Sequence, residues 1–335
     1  VKINMDRILR AGVVGAGSLG QHHARIYANT EGVKLTCIAD VSEKCKEIAD
    51  KYRASFFTDY RKILNMVDVV SIAVPTSLHY KVTKFFVENK KHVLLEKPMT
   101  ATAKEAKDLL KLYKKNKIIL QIGHIERFNV AIEKLQQLKK TPILIEANRL
   151  GPFTARSTDI SVVLDLMIHD IDIILQLVNS KVKKIDAIGV PILTDFIDMA
   201  SVRLEFKNGS VANITASRVS PKKIRKIRVF ENNAYMSIDY IRQSIKVYKL
   251  KEGLPGDRKI SWNDMMELEV YPMSKEEPLA KEIKSFIDAV NGKQEVEVTP
   301  EQAFHALNIV LEIEKQINKK LNKVKNQKVL FWKKF

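Results

Sequence analysis

The chain has 335 residues, 45% hydrophobic and 29% charged, with 12 glycines, 10 prolines and two cysteines. At about 150 residues per domain, that length suggests two domains. The composition excludes collagen, a disulfide-stapled miniprotein, a simple coiled coil and a disordered chain. The formal charge of +18 is spread over 43 lysines and 14 arginines along the whole chain, so a nucleic-acid surface, which concentrates its cations on one face, is not expected.

Cys37 and Cys45 form no C-x-x-C pair, which argues against a disulfide framework and a zinc site and makes a reducing cytoplasm the expected compartment. No metal is expected. Val1 leads through charged residues straight into a strand-like run, which does not read as a signal peptide. The most apolar long segment, Val162 to Val178, is interrupted by Asp165, His169, Asp170 and Asp172, so no membrane span is expected. After Glu314 the chain has eight lysines and no acid. A solvated, frayed end is expected there rather than an acidic or membrane-surface partner at Phe331 and Trp332.

From Ile8 to Gly123, β-branched runs alternate with amphipathic helical stretches. The expected strands are Ile8 to Val14, Val33 to Ala39, Val67 to Ala73, His92 to Glu96 and Ile118 to Ile122. Strands apolar on both faces and separated by helices call for a doubly wound parallel sheet, an α/β Rossmann domain over residues 1–123. An α+β domain with a large, mostly antiparallel open sheet is expected over 124–300. It has helices at Asn129 to Lys139 and Val162 to Val178, then strands Val182 to Val190, Met199 to Phe206, Ser210 to Ala216, Ile224 to Phe230, Ala234 to Ile238 and Ser244 to Leu250. Lys207-Asn208-Gly209 reads as a hairpin turn. Helices start near Pro278 and Pro300; the last, over 301–335, is expected to pack back on the Rossmann domain and end in the basic tail. Ile309, Ile313, Ile317 and Leu321, at helical spacing, read as core or interface rather than a membrane face. Lys222, Lys223, Arg225, Lys226 and Arg228 read as a solvated strand edge.

Gly15-Ala16-Gly17-Ser18-Leu19-Gly20 follows a strand and opens a helix, and Asp40 ends the next strand. The glycines allow a tight turn, close approach of a pyrophosphate and close helix packing. Asp40 would accept from the ribose hydroxyls and repel a 2′-phosphate, favouring NAD over NADP. His22 and His23, in the following helix, read as packing or surface residues.

Glu96-Lys97-Pro98 ends another parallel strand, where ligands bind in such sheets. With Pro75-Thr76-Ser77-Leu78-His79 and the later Asp165, His169 and Asp172, it resembles the Gfo/Idh/MocA oxidoreductases over nearly the whole chain. The resemblance implies that Lys97 is the catalytic lysine, that Lys97-Pro98 is a cis peptide, and that Pro75, Thr76, His79, Glu96 and Lys97 join the glycine loop and Asp40 in holding NAD. The family's D-x-G-x-H-x-x-D helix matches Asp165, His169 and Asp172, with Met167 in place of the glycine, a change expected to reshape the pocket floor. Spacing alone puts these three polar residues on one face of an apolar helix, a costly burial unless they have partners or a task. Asp170 points elsewhere.

Gly123-His124-Ile125-Glu126-Arg127-Phe128-Asn129 and Arg149-Leu150-Gly151-Pro152 are similar to the branch of that family that oxidises C3 of UDP-N-acetylglucosamine on the way to a 2,3-diamino sugar of lipid A. That resemblance implies a nucleotide-sugar partner. Asn129 and Asp172 are expected on the sugar, and Arg127, Arg149, Arg156 and Arg218 near its diphosphate. His169 or Lys97 would be the base, with Asp165 orienting them. Another sugar, a UDP-sugar uronate or an inositol is the same-class alternative, and a non-catalytic NAD-binding regulator the different-class one. A homodimer or homotetramer is expected.

Overall fold

Apolar runs buried on both faces build the first sheet of the computed structural model, which describes residues 8–138, 142–154, 160–251, 261–271 and 273–332. Its strands are β1 (Leu9–Val14), β2 (Val33–Ala39), β3 (Ser55–Phe57), β4 (Val69–Ile72), β5 (His92–Glu96) and β6 (Leu120–Gly123), in the order β3-β2-β1-β4-β5-β6. All pairs are parallel. Helices α1 (Gly20–Ala28), α2 (Lys46–Lys51), α3 (Thr76–Glu88) and α4 (Ala103–Asn116) lie between the strands in sequence. A Thr102/Glu105 capping box starts α4 and a left-handed Lys117 ends it. The sequence reading missed β3, an edge strand too short to show a period. The strand order reverses at β1 and β4, and such switch points open the ligand crevice at the carboxyl ends of a doubly wound sheet.

The second sheet contains β7 (Leu144–Leu150), β8 (Val182–Val190), β9 (Met199–Phe206), β10 (Val211–Ser217), β11 (Ile224–Glu231), β12 (Ala234–Asp239), β13 (Ser244–Leu250) and β14 (Met266–Tyr271), in the order β14-β13-β12-β11-β7-β10-β9-β8. Only the β7–β10 pair is parallel. Gly209, at φ +91°, closes the expected β9–β10 hairpin. Helices α5 (Val130–Gln137), α6 (Ile168–Val178) and α7 (Trp262–Met265) accompany this sheet, and α8 (Pro278–Val290) and α9 (Pro300–Trp332) follow. Among the described residues, no helix is long and apolar enough to cross a membrane.

Two strands of this sheet were not anticipated. Along β7 the buried positions are Ile145, Ala147 and Arg149, and an inward arginine hides the period-2 pattern. β14 buries neither face fully. A third difference concerns β11, which was expected at an edge but lies inside the sheet between β7 and β12. Its cations face acids on the neighbouring strands: Arg228 pairs with Glu146 at 2.6 Å and Lys226 with Asp239 at 3.7 Å. Each acid is the direct cross-strand partner.

Packing divides the described chain into two units. The first runs to Phe128 and takes in Glu277–Leu307; the second comprises Asn129–Glu276 and the chain from Asn308. This differs from a division at residues 123 and 300. Leu279, Ile283, Phe286, Ile287 and Val290 of α8 share one core with Leu9, Ala11 and Val13 of β1, so α8 belongs with the parallel sheet. From Asn308 onward α9 belongs to the second unit, where Ile313 and Ile317 are fully buried.

Candidate active site

The turn from β1 into α1 is shaped by its outer glycines. Gly15 has φ +85°, and a Cβ there would stand 2.7 Å from the Ala73 carbonyl oxygen; one on Gly20 would come within 1.8 Å of the Gly15 oxygen. Neither position admits a side chain. A Cβ on exposed Gly17 would meet no atom within 4 Å, so the protein's own packing does not require that glycine, whereas a pyrophosphate approaching the loop does. Ser18 is exposed and Leu19 half-buried beside it. Asp40, one residue past β2, accepts the Ala16 N–H on Oδ2 at 2.7 Å and the Ser42 N–H on Oδ1 at 2.8 Å. Each carboxylate oxygen keeps a second lone pair.

Pro75 is exposed and Thr76 half-buried at the start of α3, after β4, and Lys97 is half-buried after β5. Because β2, β1, β4 and β5 are neighbours, Asp40, the glycine loop, Pro75-Thr76 and Lys97 stand in a row along one edge of the sheet. The Lys97-Pro98 peptide is cis. Two expected cofactor contacts do not fit. His79 is 1% exposed, and its ring nitrogens lie 2.7 and 2.9 Å from the carbonyls of Pro98 and Val74. Burial pushes its pKa below the usual histidine value, against those two bonds; the ring ties two loops together instead of reaching a ligand. Glu96 is likewise turned inward, 3.0 Å from Nε2 of His23.

In the second unit the expected continuous helix at Val162 to Val178 begins with a π turn, Val163–Met167, before α6. Asp165 sits in the wide turn and is half-buried; His169 and Asp172 lie in α6 and are buried. His169 and Asp172 keep α-helical spacing. Such wide turns recur at functional sites. Met167 is fully buried, so its side chain is part of the core.

The basic and amide residues expected on the substrate are held by the protein itself. Arg149 is ion-paired with Asp170, which corrects both the expected diphosphate role of Arg149 and the expected indifference of Asp170. Arg218 pairs with the fully buried Asp198 at 2.9 Å and donates to the Ile160 carbonyl at 2.6 Å. Arg127, 2% exposed, donates to the Glu297 carbonyl at 3.1 Å and to Gln302 Oε1 at 2.8 Å. Asn129 caps α5 through the Ala131 N–H and donates to the Tyr240 carbonyl at 3.0 Å. Buried cations and amides with such partners are fixed in place by them. Arg156 lies outside the described residues. Sequence reasoning missed the parts played by His23, Asp170 and Asp198; of these, Asp170 alone left a signal, as a charge in an apolar run.

Comparison with known proteins agrees with this geometry. Residues 9–124 match the model of the oxidoreductase family with an NAD-binding Rossmann fold, Gfo/Idh/MocA, and residues 138–236 match that family's C-terminal domain. The UDP-N-acetylglucosamine 3-dehydrogenase of Acidithiobacillus ferrooxidans is 36% identical over 86% of this chain and 90% of its own length. Its solved structure superposes with a TM-score of 0.84, covering 92% of this chain and 97% of that one. The myo-inositol 2-dehydrogenase of Thermotoga maritima is 25% identical over 93% of this chain and 97% of that protein. A fingerprint built for a dinucleotide, a lysine at the end of β5 and similarity along nearly the whole length place the chain in the Gfo/Idh/MocA family, as an NAD-dependent dehydrogenase.

Proposed function

We propose that this dehydrogenase oxidises a secondary hydroxyl of a nucleotide sugar, the 3-hydroxyl of UDP-N-acetylglucosamine, to the 3-keto sugar used for 2,3-diamino sugar synthesis. The similarity to the Acidithiobacillus enzyme, 36% over 86% of the chain, carries the substrate assignment. Gly15, Gly17, Ser18, Leu19 and Gly20 hold the cofactor pyrophosphate, Asp40 the ribose, and Pro75, Thr76 and Lys97 line its path toward the reacting end.

Oxidation removes one hydride and one proton from the carbinol. Bound NAD supplies the hydride acceptor. The chain's own residues manage the proton: His169 takes it from the hydroxyl, and the Lys97 ammonium stabilises the negative charge that develops on that oxygen. Asp165 orients these groups, and Asp172 contacts the sugar. The reading places the reaction in the cytoplasm, where NAD and UDP-sugars are held.

A homodimer or homotetramer formed through the open face of the second sheet belongs to the same reading. Phe230, Tyr235, Tyr248 and Leu268 are register partners across β11, β12, β13 and β14. Phe230 and Tyr235 stack at 5.6 Å, Tyr235 and Tyr248 at 4.5 Å, and Leu268 is 49% exposed. An apolar stripe of this kind supports an interface.

The deciding experiment supplies NAD and UDP-N-acetylglucosamine, with an aminotransferase and amino donor to draw off the ketone, and follows reduced nicotinamide. Turnover is expected with the UDP-sugar. Turnover of free inositol or glucose with none of any UDP-sugar would overturn the substrate assignment.

A further inference from the structure

His23, three residues past Gly20 in α1, is completely buried. Its Nε2 is 3.0 Å from Glu96 Oε1, and its Nδ1 is 3.0 Å from Ser71 Oγ, which lies 2.8 Å from the Tyr27 hydroxyl. The other Glu96 oxygen accepts the backbone N–H of Lys97 at 3.3 Å. A continuous polar chain therefore crosses from α1 through β4 to the end of β5, inside an otherwise apolar core. On β6, a Cβ at Gly123 would stand 3.1 Å from the Glu96 carboxyl carbon and from Oε2, so glycine there makes the room this carboxylate occupies.

Glu282 of α8 is also fully buried, and neither of its carboxyl oxygens has a hydrogen-bond partner among the described residues. Burial, and after it the charge of Glu96, pushes its pKa well above the carboxylate range. Glu282 is thus the neutral acid of the pair. Tyr27, whose pKa is raised by burial, keeps its proton. His79, from α3, also feels the charge of Glu96, and the Lys97 side chain follows Glu96 in sequence.

As a carboxylate Glu96 only accepts, so His23 Nε2–H donates to it, while Nδ1 faces the Ser71 hydroxyl. We propose that His23 is a positioning residue for the Glu96-Lys97-Pro98 segment: its Nε2–H holds the Glu96 carboxylate, which in turn fixes the backbone carrying Lys97. The inference deepens the proposed reaction and rests on the reading that Lys97 acts on the substrate hydroxyl.

The test compares His23→Gln, which keeps an N–H donor at the end of the side chain, with His23→Leu, which keeps volume and loses the donor. His23→Leu lowers kcat by about 10- to 100-fold, the usual loss when a partner supporting a site residue is removed, with NAD affinity little changed; His23→Gln recovers most of kcat. Equal activity in the two variants, or wild-type kcat in His23→Leu, overturns the proposal. The wild-type tautomer is read separately by nitrogen-15 NMR of labelled histidine, which needs neither variant to fold. A proton on Nε2, shared with Glu96, is expected at neutral pH, and a ring bare at Nε2 overturns the proposal. Full turnover in Lys97→Ala would overturn the Lys97 reading alone, because the tautomer is measured without turnover.

Discussion

Arg149 and Asp170 form a doubly hydrogen-bonded ion pair, Nε to Oδ2 at 2.8 Å and Nη2 to Oδ1 at 3.0 Å, with each side chain 1% exposed. The guanidinium also lies 5.0 Å from the centre of the Tyr240 ring. Removing one partner strands a buried charge, a cost of about 3–5 kcal/mol. Arg149→Met is therefore expected to lower the thermal unfolding midpoint sharply, and adding Asp170→Leu to restore much of it. A double variant no more stable than Arg149→Met would show that the uncompensated charge is not the cause.

Asp40 is expected to couple cofactor choice to loop shape, since the Oδ2 that accepts the Ala16 N–H belongs to the carboxylate proposed to hold the ribose. Asp40→Asn keeps an acceptor for the loop and loses the charge, so it narrows the preference for NAD over NADP with modest loss of NAD affinity. Asp40→Ala loses both and weakens NAD further. Fluorescence titration of both cofactors reads the difference; equal NAD and NADP affinity in the wild type would refute the charge argument.

Lys97→Ala and His169→Ala are each expected to cut turnover by about 10²- to 10⁴-fold, the range for lost general acid–base or charge-stabilising groups, with much smaller effects on NAD binding. If the two act as a unit, the double variant falls little below the poorer single one. Thermal unfolding must accompany the His169 variant, since His169 is buried. Near-normal turnover in a folded His169 variant would remove that residue from the mechanism.

Asp198 should make stability acid-sensitive. Burial acts to raise its pKa, but the N–H groups of Ile192, Leu193 and Thr194 and the Thr194 hydroxyl outweigh that and hold it at about 2, against an ordinary 3.8. With the folded value depressed, the stabilisation is complete above the unfolded-state value and is lost as pH falls through the folded one. The difference in unfolding midpoint between wild type and Asp198→Asn is expected to be full above about pH 5 and to shrink as pH falls toward 2. A difference independent of pH across that window would contradict the assignment.

On the open face of the second sheet, Tyr248→Glu puts a charge among Tyr235, Trp262 and Leu268. Light scattering is expected to find a homodimer or homotetramer in the wild type and a smaller species in the variant. A monomeric wild type at micromolar concentration would end the proposal that this face is an interface.

The sequence by itself determined what depends on neighbours along the chain. The glycine fingerprint, the parallel strand ends at Asp40 and Glu96, the Lys207–Gly209 hairpin and the proline starts of α8 and α9 are all written in local period and turn chemistry. Tertiary structure decided what polar residues do once buried. Arg149 reads as a cation for the substrate diphosphate until its partner arrives from 21 residues away, and the same inward arginine concealed β7. His23 reads as packing until its contacts, 48 and 73 residues distant, appear at Ser71 and Glu96. Burial makes an unpaired polar group costly, so these two side chains are paired, and strand order, absent from local pattern, decides which partner stands within reach.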